Sequence, residues 1–175
     1  MSAKSSTPRL LIERPGLLAT VQDFGRPGLA SRGIAPSGAL DRAALRTANR
    51  LLGNPEDAAG IELTMGGLAA MLMPGSAPDA DAWVAVTGAR GDITIDGRSV
   101  DPNRAVRLAA GARLEIGIPT HGVRPYLAVR GGFDAPLVAG SRSTDVMAGL
   151  GRAPLAPGDV IEIRDDAIAP VPAND

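Results

Sequence analysis

Short apolar runs separated by turn-forming residues dominate the chain. Each run is rich in Val, Ile and Leu and is bounded by Gly, Pro, Asp or Asn, which is typical of β-strands joined by turns. The dipeptide Asp96-Gly97 is the strongest hairpin signal, because a two-residue turn favours positive φ angles. The pattern predicts a mostly β fold, a many-stranded antiparallel sheet or barrel. The predicted strands are 10–13, 61–65, 69–73, 83–87, 92–95, 113–116, 125–129 and 160–163.

One segment departs from the β pattern. Over 41–52 the apolar residues recur at helical spacing, and three arginines four residues apart fall on the opposite face. Asp41 or Ser37 can cap the helix N-terminus, and Gly53 ends the pattern. The sequence therefore predicts one main helix at about 41–52 and a short helical turn near 144–148.

The length of 175 residues predicts a single domain or a lobe of a larger protein. We expect a flexible N-terminus over 1–8, one domain over 9–165, and a tail or linker over 166–175. Neither a secretory signal nor an apolar run long enough to span a membrane is recognisable, so we expect a cytoplasmic protein without a membrane partner.

The rare residue types exclude several kinds of chemistry. The chain has no cysteine, His121 is its only histidine, and Lys4 is its only lysine. Thiol nucleophiles, two-histidine metal motifs, Walker phosphate loops and Schiff-base lysines are therefore excluded, and we expect no metal site. We expect His121 in a loop. The net charge of −1 argues against a nucleic-acid partner. Any bound anion must be held by arginines, hydroxyls or backbone N–H groups.

A first group of polar residues precedes the predicted helix. Gln22, Asp23 and Arg26 lie in a glycine-flanked segment, and Ser37 and Asp41 follow before the helix starts. Arg26 and the helix N-terminus would suit a carboxylate or a phosphate. The alternative is that Asp23 pairs with Arg26 and that Asp41 only caps the helix.

A second group follows Gly140. Three hydroxyl residues surround one arginine, and together they would bind an oxyanion or a phosphate. The alternative is a solvent-exposed turn with a hydroxyl cap. The residues are Ser141, Arg142, Ser143 and Thr144.

Glu62 lies inside an apolar run. Alternation along the strand predicts that its carboxylate faces water. The alternative is burial, which would require a partner such as an arginine.

Six motifs in a fixed order identify a family resemblance. They span 17–28, 37–41, 52–59, 61–67, 124–132 and 140–144. Together they resemble the family of the 5-oxoprolinase C subunit, which is also called allophanate hydrolase subunit 2, Kip-inhibitor antagonist or the biotin-dependent carboxyltransferase family. A related segment forms part of the carboxyltransferase domain of urea carboxylase. The resemblance runs from about residue 10 to residue 163.

The resemblance implies a cyclophilin-like β-barrel and a heteromeric enzyme. Family members act with a B subunit, which is allophanate hydrolase subunit 1-like, and with an A subunit to hydrolyse the small molecule 5-oxoproline using ATP. The first alternative is a carboxyltransferase lobe that uses biotin, as in urea carboxylase. The second is a non-catalytic module that sequesters a Kip-inhibitor-like partner. Because members usually carry a second barrel beyond the point matching residue 165, we expect this chain to be inactive by itself.

The polar residues of the family motifs are the candidate substrate- or anion-binding residues. The resemblance assigns no catalytic role to any of them. They are Gln22, Asp23, Arg26, Ser37, Asp41, Asn54, Glu62, Arg124, Ser141, Arg142, Ser143 and Thr144.

Overall fold

The structure, a computed structural model, describes residues 7–73, 75 and 81–172. These residues form eleven β-strands, one α-helix, a short 3-10 helix at Ala30–Arg32 and the loops that join them. The mostly β class predicted from the sequence is confirmed. Each of the eight predicted strands overlaps an observed strand, whereas β2, β7 and β8 were not predicted. The strands are β1 (Arg9–Pro15), β2 (Leu18–Gln22), β3 (Gly60–Thr64), β4 (Leu68–Met73), β5 (Ala82–Arg90), β6 (Ile93–Ile95), β7 (Arg98–Ser99), β8 (Val106–Leu108), β9 (Arg113–Ile116), β10 (His121–Val129) and β11 (Val160–Glu162).

The strands form two antiparallel sheets. Their orders are β11-β1-β4-β9-β6-β7 and β2-β3-β10-β5-β8. The cyclophilin-like β-barrel that the resemblance implies is not closed in this structure, because in the described ranges no strand pairing joins the ends of either sheet. Loop segments cover two of the edges instead. Thr144 N donates to Val21 O of β2 over 2.8 Å, and Asp134 N donates to Glu162 O of β11 over 2.8 Å.

The two sheets enclose one apolar core. Alternate residues of each strand point into it, and Ile61 and Leu63 of β3 are fully buried there. The register places the intervening residues of the second sheet in a polar row on its outer face. That row is Thr20, Glu62, Tyr126 and Thr87.

The helix α1 (Arg42–Leu51) covers this outer face by packing against β5 and β10. Its N-cap is Asp41, whose side chain accepts a hydrogen bond from Ala44 N over 3.0 Å. The helix predicted at about 41–52 is confirmed. No helix in the described part of the chain is long and apolar enough to cross a membrane.

The segment after β11 returns to the end of α1. Ile168 N and Ala169 N donate to Gly53 O over 2.8 and 3.1 Å, and Val171 packs beside Leu52. We call residues 168–171 the C-terminal segment. The predicted domain limits stay predictions, and residues 1–6 and 173–175 of the predicted terminal regions lie outside the described residues.

Two turn predictions have opposite outcomes. Asp96 and Gly97 adopt φ angles of 49° and 75° and join β6 to β7, so the predicted hairpin is confirmed. The helical turn near 144–148 is wrong, because Asp145 and Leu150 pair in a short antiparallel bridge around a turn. The carboxylate of Asp145 accepts hydrogen bonds from two backbone N–H groups inside that turn, which favours the turn over a helix.

Candidate functional site

Eleven of the twelve candidate residues lie in two clusters, one beside the edge strand β2 and one on the outer face of the second sheet. The Asp23 cluster is Gln22, Asp23, Arg26, Ser37, Ser141, Arg142, Ser143 and Thr144, and the Glu62 cluster is Asp41, Glu62, Arg124 and Tyr126. Asn54 lies apart from both. Its side chain donates to Asn49 Oδ1 and Val129 O and accepts from Gly131 N, so it ties the end of α1 to the sheet.

The carboxylate of Asp23 receives most of the donors that were expected to bind an anion. Ser141 Oγ and Ser143 Oγ donate to Oδ1 over 2.6 and 2.5 Å, and Arg142 N donates to Oδ2 over 2.6 Å. Gly25 N also donates to Oδ1, over 2.7 Å. The segment 141–143 therefore surrounds an anion that belongs to the protein itself.

Arg26 is the most deeply buried cation of the Asp23 cluster, with 2% of its surface exposed. Its Nε donates to Val138 O over 3.2 Å and its Nη2 donates to Ser143 O over 2.5 Å. The alternative that Asp23 pairs with Arg26 is wrong, because no ion pair joins the two described side chains. Arg26 holds the loop carbonyls instead.

Gln22 and Thr144 connect the cluster to β2. Gln22 Nε2 donates to Thr20 Oγ1 and to Thr144 O, both over 3.1 Å. Thr144 Oγ1 donates to Arg152 O over 2.7 Å. Both side chains are buried and join neighbouring segments of the chain.

Asp145, which directly follows the predicted hydroxyl group but was not among the candidate residues, completes this cluster. Ser37 Oγ donates to Asp145 Oδ2 over 2.9 Å. The backbone N–H of Ala148, the hydroxyl of Ser37, the N–H of Met147 and the charge of Arg26 together hold the pKa of this carboxyl below its usual value, against the effect of burial. The sequence feature that could have identified Asp145 as part of the cluster is its position directly after Thr144.

A cleft of about 200 Å³ lies beside the Asp23 cluster and contains Arg142 and Arg164. Arg142 Nη1 donates to Ala135 O and lies 3.2 Å from Asp134 Oδ1. Arg164 pairs with Asp134 over 3.1 Å and with Asp166 over 2.5 Å. Both cations therefore already have protein partners.

Glu62 is buried, with 6% of its surface exposed, so the prediction that it faces water is wrong. Alternation does place it on the outer face, but α1 and the segment before it cover that face. Its Oε1 accepts from Arg124 Nη1 over 2.9 Å, and its Oε2 accepts from Tyr126 Oη over 2.6 Å and from Leu40 N over 2.8 Å. The alternative of a buried carboxylate with an arginine partner is confirmed.

Tyr126 is the second residue that the sequence analysis missed as part of a site. It is fully buried, and its Oη accepts from Asp41 N over 2.7 Å while donating to Glu62. Burial, reinforced by the hydrogen bond to Glu62, raises the pKa of Tyr126, so the phenol stays protonated. Its spacing of two residues from Arg124 places both on one face of β10, and that spacing was the available signal.

A bulge between β5 and β10 opens a second cleft, which we call the bulge cleft. The pairs His121–Arg90 and Pro125–Gly88 enclose three residues of β10 but only Ala89 of β5. Extra residues of this kind bend a strand and redirect its side chains. The resulting cleft has a volume of about 530 Å³. Its charged or ionisable lining residues are Asp41, Arg90, His121 and Arg124.

His121 begins β10, so the expectation that it lies in a loop is wrong. The ring Nδ1 lies 3.2 Å from Thr120 Oγ1, and the side chain lines the bulge cleft. Within the described residues, no group of three His, Cys, Asp or Glu side chains is arranged to hold a metal ion.

The bulge cleft differs from the cleft beside Asp23 because one of its arginines has no carboxylate partner among the described residues. Arg124 Nη1 donates to Glu62 and to Thr64 Oγ1, while its Nη2 makes no hydrogen bond to the described residues. No carboxylate of the described chain pairs with Arg90. The bulge cleft therefore offers a ligand the Arg90 guanidinium and one terminal nitrogen of Arg124.

The model of the carboxyltransferase domain, subdomain A and B, matches residues 32–174. The chain belongs to this carboxyltransferase domain family. Glu62, Arg124 and the segment 141–144 lie inside the matched region, whereas Asp23 and Arg26 precede it. This confirms the resemblance inferred from the sequence motifs.

Relatives of this carboxyltransferase-domain chain include a 5-oxoprolinase subunit and urea amidolyases. It is 44% identical to the 5-oxoprolinase C subunit of Escherichia coli (strain K12) over 142 residues, which are 81% of this chain and 44% of that protein. It is 36% identical to urea amidolyase of Lachancea kluyveri over 141 residues, 80% of this chain and 7% of that protein. The solved structure of K. lactis urea amidolyase superposes on this chain with a TM-score of 0.83 and 30% sequence identity. The match covers 100% of this chain and 10% of the amidolyase chain. The chain thus spans less than half the length of each of these relatives.

Proposed function

We propose that this chain is a subunit, or the N-terminal lobe, of an ATP-dependent 5-oxoprolinase-type amidohydrolase that acts with a B subunit and an A subunit. The identity of 44% to a 5-oxoprolinase C subunit supports this assignment. The observation that carries it is the position of Arg124, which joins the buried carboxylate of Glu62 to the open bulge cleft.

The proposed reaction requires stabilisation of negative charge. A cyclic amide is unreactive until its oxygen is activated, and ATP bound to the complex would supply the phosphoryl group that does so. Positioned guanidinium groups stabilise negative charge that develops during such a step. Glu62 and Thr64 fix the orientation of Arg124, and Arg90 is unpaired among the described residues. Because the hydroxyls of Ser141 and Ser143 already donate hydrogen bonds to Asp23, we place the anion contact at the bulge cleft.

The bulge cleft suits a small anion better than a nucleotide. In the described part of the chain, no Phe, Tyr or Trp side chain lines it for stacking against a base, and Asp41 is its single carboxylate for a magnesium ion. We therefore propose that ATP binds elsewhere in the complex.

Carboxyl transfer is the second candidate function. The description of the family model and the similarity to urea amidolyase favour it. In this case biotin would supply the carboxyl group, and Arg90 and Arg124 would be available to hold that carboxylate.

Co-expression of the full chain with B and A subunits from the same genome tests the proposal. We expect glutamate to form from 5-oxoproline only when ATP and all subunits are present. The Arg124→Met variant should lower kcat/KM about ten- to a hundredfold, the usual effect of losing a charged hydrogen bond. Carboxylation of urea by a biotin-loaded complex would support the second candidate. A stable complex that turns over neither substrate would support the non-catalytic alternative.

A further inference from the structure

We propose that Arg90 and Asp41 make the bulge cleft selective for a small amide that carries a carboxylate. Arg90 would bind the carboxylate, and Asp41 would accept a hydrogen bond from the amide N–H. This inference rests on the proposed function and extends it to two residues with opposite roles.

Arg90 supplies the attractive charge of the cleft. It lies at the end of β5, directly opposite His121, where the bulge separates the two strands. Arg124 is already neutralised by Glu62 at 2.9 Å, whereas no carboxylate of the described residues pairs with Arg90. An arginine presents two parallel N–H donors to a carboxylate, which gives both strength and geometric selectivity.

Asp41 limits which anions can bind. Its Oδ1 accepts from Ala44 N over 3.0 Å, while its Oδ2 makes no hydrogen bond to the described residues. Beside an unpaired carboxylate oxygen, an anion without a hydrogen-bond donor is repelled. A ligand with both an anionic group and an N–H satisfies Arg90 and Asp41 together.

The volume of the bulge cleft suits a small molecule, and two glycines maintain the backbone conformation of the bulge. Its volume of about 530 Å³ falls within the range of roughly 300–1,000 Å³ that is usual for small-molecule sites. Gly88 and Gly122 have φ angles of 82° and 80°. A Cβ at Gly88 would lie 2.4 Å from Arg124 O, so a side chain there would displace the bulge.

The single histidine permits a direct test. The untagged full chain is labelled with ¹³C-histidine, so that the ring signals of His121 report on the cleft, both alone and in a complex with unlabelled partner subunits. Three probes are titrated: 5-oxoproline, its neutral carboxamide, and N-methyl-5-oxoproline. We expect saturable shifts with 5-oxoproline and about ten- to a hundredfold weaker binding of the carboxamide, because it lacks the charge. The N-methyl compound should also bind more weakly, because it lacks the N–H.

Variants separate the two roles. Arg90→Gln should abolish the preference for 5-oxoproline over its carboxamide, and Arg90→Lys should restore part of it. Asp41→Asn, which can still cap the helix, should abolish the preference for the compound with a free N–H. Arg98→Gln, at an exposed position on β7, is the matched control and should leave both preferences unchanged.

The outcomes distinguish this inference from the proposed function. A complex that hydrolyses 5-oxoproline while His121 signals do not respond, or while Arg90→Gln leaves KM unchanged, would overturn the assignment of the cleft and leave the function intact. Selective binding in a complex without hydrolysis would support the cleft and overturn the function. Equal binding of the acid and its carboxamide would overturn the role of Arg90.

Discussion

Arg124 Nη1 donates to Glu62 Oε1 across 2.9 Å, and this ion pair joins the helix-covered face of the second sheet to the bulge cleft. A carboxylate that is removed from water must be compensated by charge and hydrogen bonds. Glu62 receives three donors, two from β10 and one from the segment before α1. The pair therefore fixes the orientation of Arg124 while one terminal nitrogen stays available to a ligand.

Tyr126→Phe tests the support of this pair. The substitution removes one donor to Glu62 and leaves Asp41 N without its acceptor. We expect the free energy of unfolding to fall by about 1–3 kcal/mol, the cost of unsatisfied buried polar groups. Urea unfolding followed by circular dichroism measures it. Thr47→Ala, which removes an exposed hydroxyl from α1, should change stability by less than about 0.5 kcal/mol. Equal effects of the two substitutions would contradict the role of Tyr126.

Asp23→Asn tests whether the Asp23 cluster is primarily structural. The side-chain nitrogen of asparagine is a donor, so only its one oxygen can accept hydrogen bonds from Ser141, Ser143 or the backbone N–H groups. We expect a loss of about 2–4 kcal/mol, as for the breakage of a network of charged hydrogen bonds. The exposed Asp57→Asn is the matched control. If Asp23→Asn unfolds at the same urea concentration as wild type, Asp23 does not hold the loops.

The sequence predicted those elements that depend on local pattern. The helix has its own cap and periodicity, and the Asp96-Gly97 hairpin has its own turn chemistry, so both were found. Glu62 shows where local pattern fails. Alternation assigned it to the correct face of the sheet. That face is buried only because α1 packs on it and excludes water, which alternation along one strand does not reveal.

The bulge cleft could not be predicted for a similar reason. It arises from the register between β5 and β10, which sets three residues against Ala89, and no local pattern in either strand contains that register. The motif at 140–144 did contain the correct hydroxyl donors. Their acceptor, Asp23, lies about 120 residues away in the chain, and only the fold brings it within hydrogen-bond distance.

Arg142→Ala separates ligand binding from structure in the same cluster. Its guanidinium contacts Ala135 O and Asp134, both protein partners. We expect a lower melting temperature and little change in KM for 5-oxoproline in the assembled complex. Thermal unfolding is measured beside steady-state kinetics. An unchanged melting temperature with a KM raised tenfold or more would show instead that Arg142 binds an anion.

Asp145 should make stability depend on acidity. Its folded-state pKa lies below the unfolded value of about 3.9, so its contribution is complete above that value and is lost as the pH falls through the folded-state pKa. Asp145→Asn should therefore lower the melting temperature at pH 7, and the difference from wild type should shrink below about pH 4. Melting curves between pH 2.5 and 7 measure the difference. A difference in melting temperature between the variant and wild type that stays constant at all pH values would contradict this prediction.

Gly53→Ala tests whether the C-terminal segment stabilises the domain. Gly53 has a φ angle of 67°, and a Cβ there would lie 2.3 Å from Ala169 O. Gly97 has a similar φ of 75°, but in the described part of the chain no atom lies within 4 Å of the corresponding Cβ. Both substitutions bring the conformational cost of about 1–2 kcal/mol that a positive φ imposes on alanine.

The difference between these two variants therefore isolates the contact with the C-terminal segment. We expect Gly53→Ala to lose more stability than Gly97→Ala and to become more sensitive to proteolysis after residue 165, because Ile168 and Ala169 can no longer reach Gly53 O. Urea unfolding and limited proteolysis with mass spectrometry measure both effects. Equal losses of stability with unchanged cleavage would show that residues 168–171 make no contribution and act only as a linker.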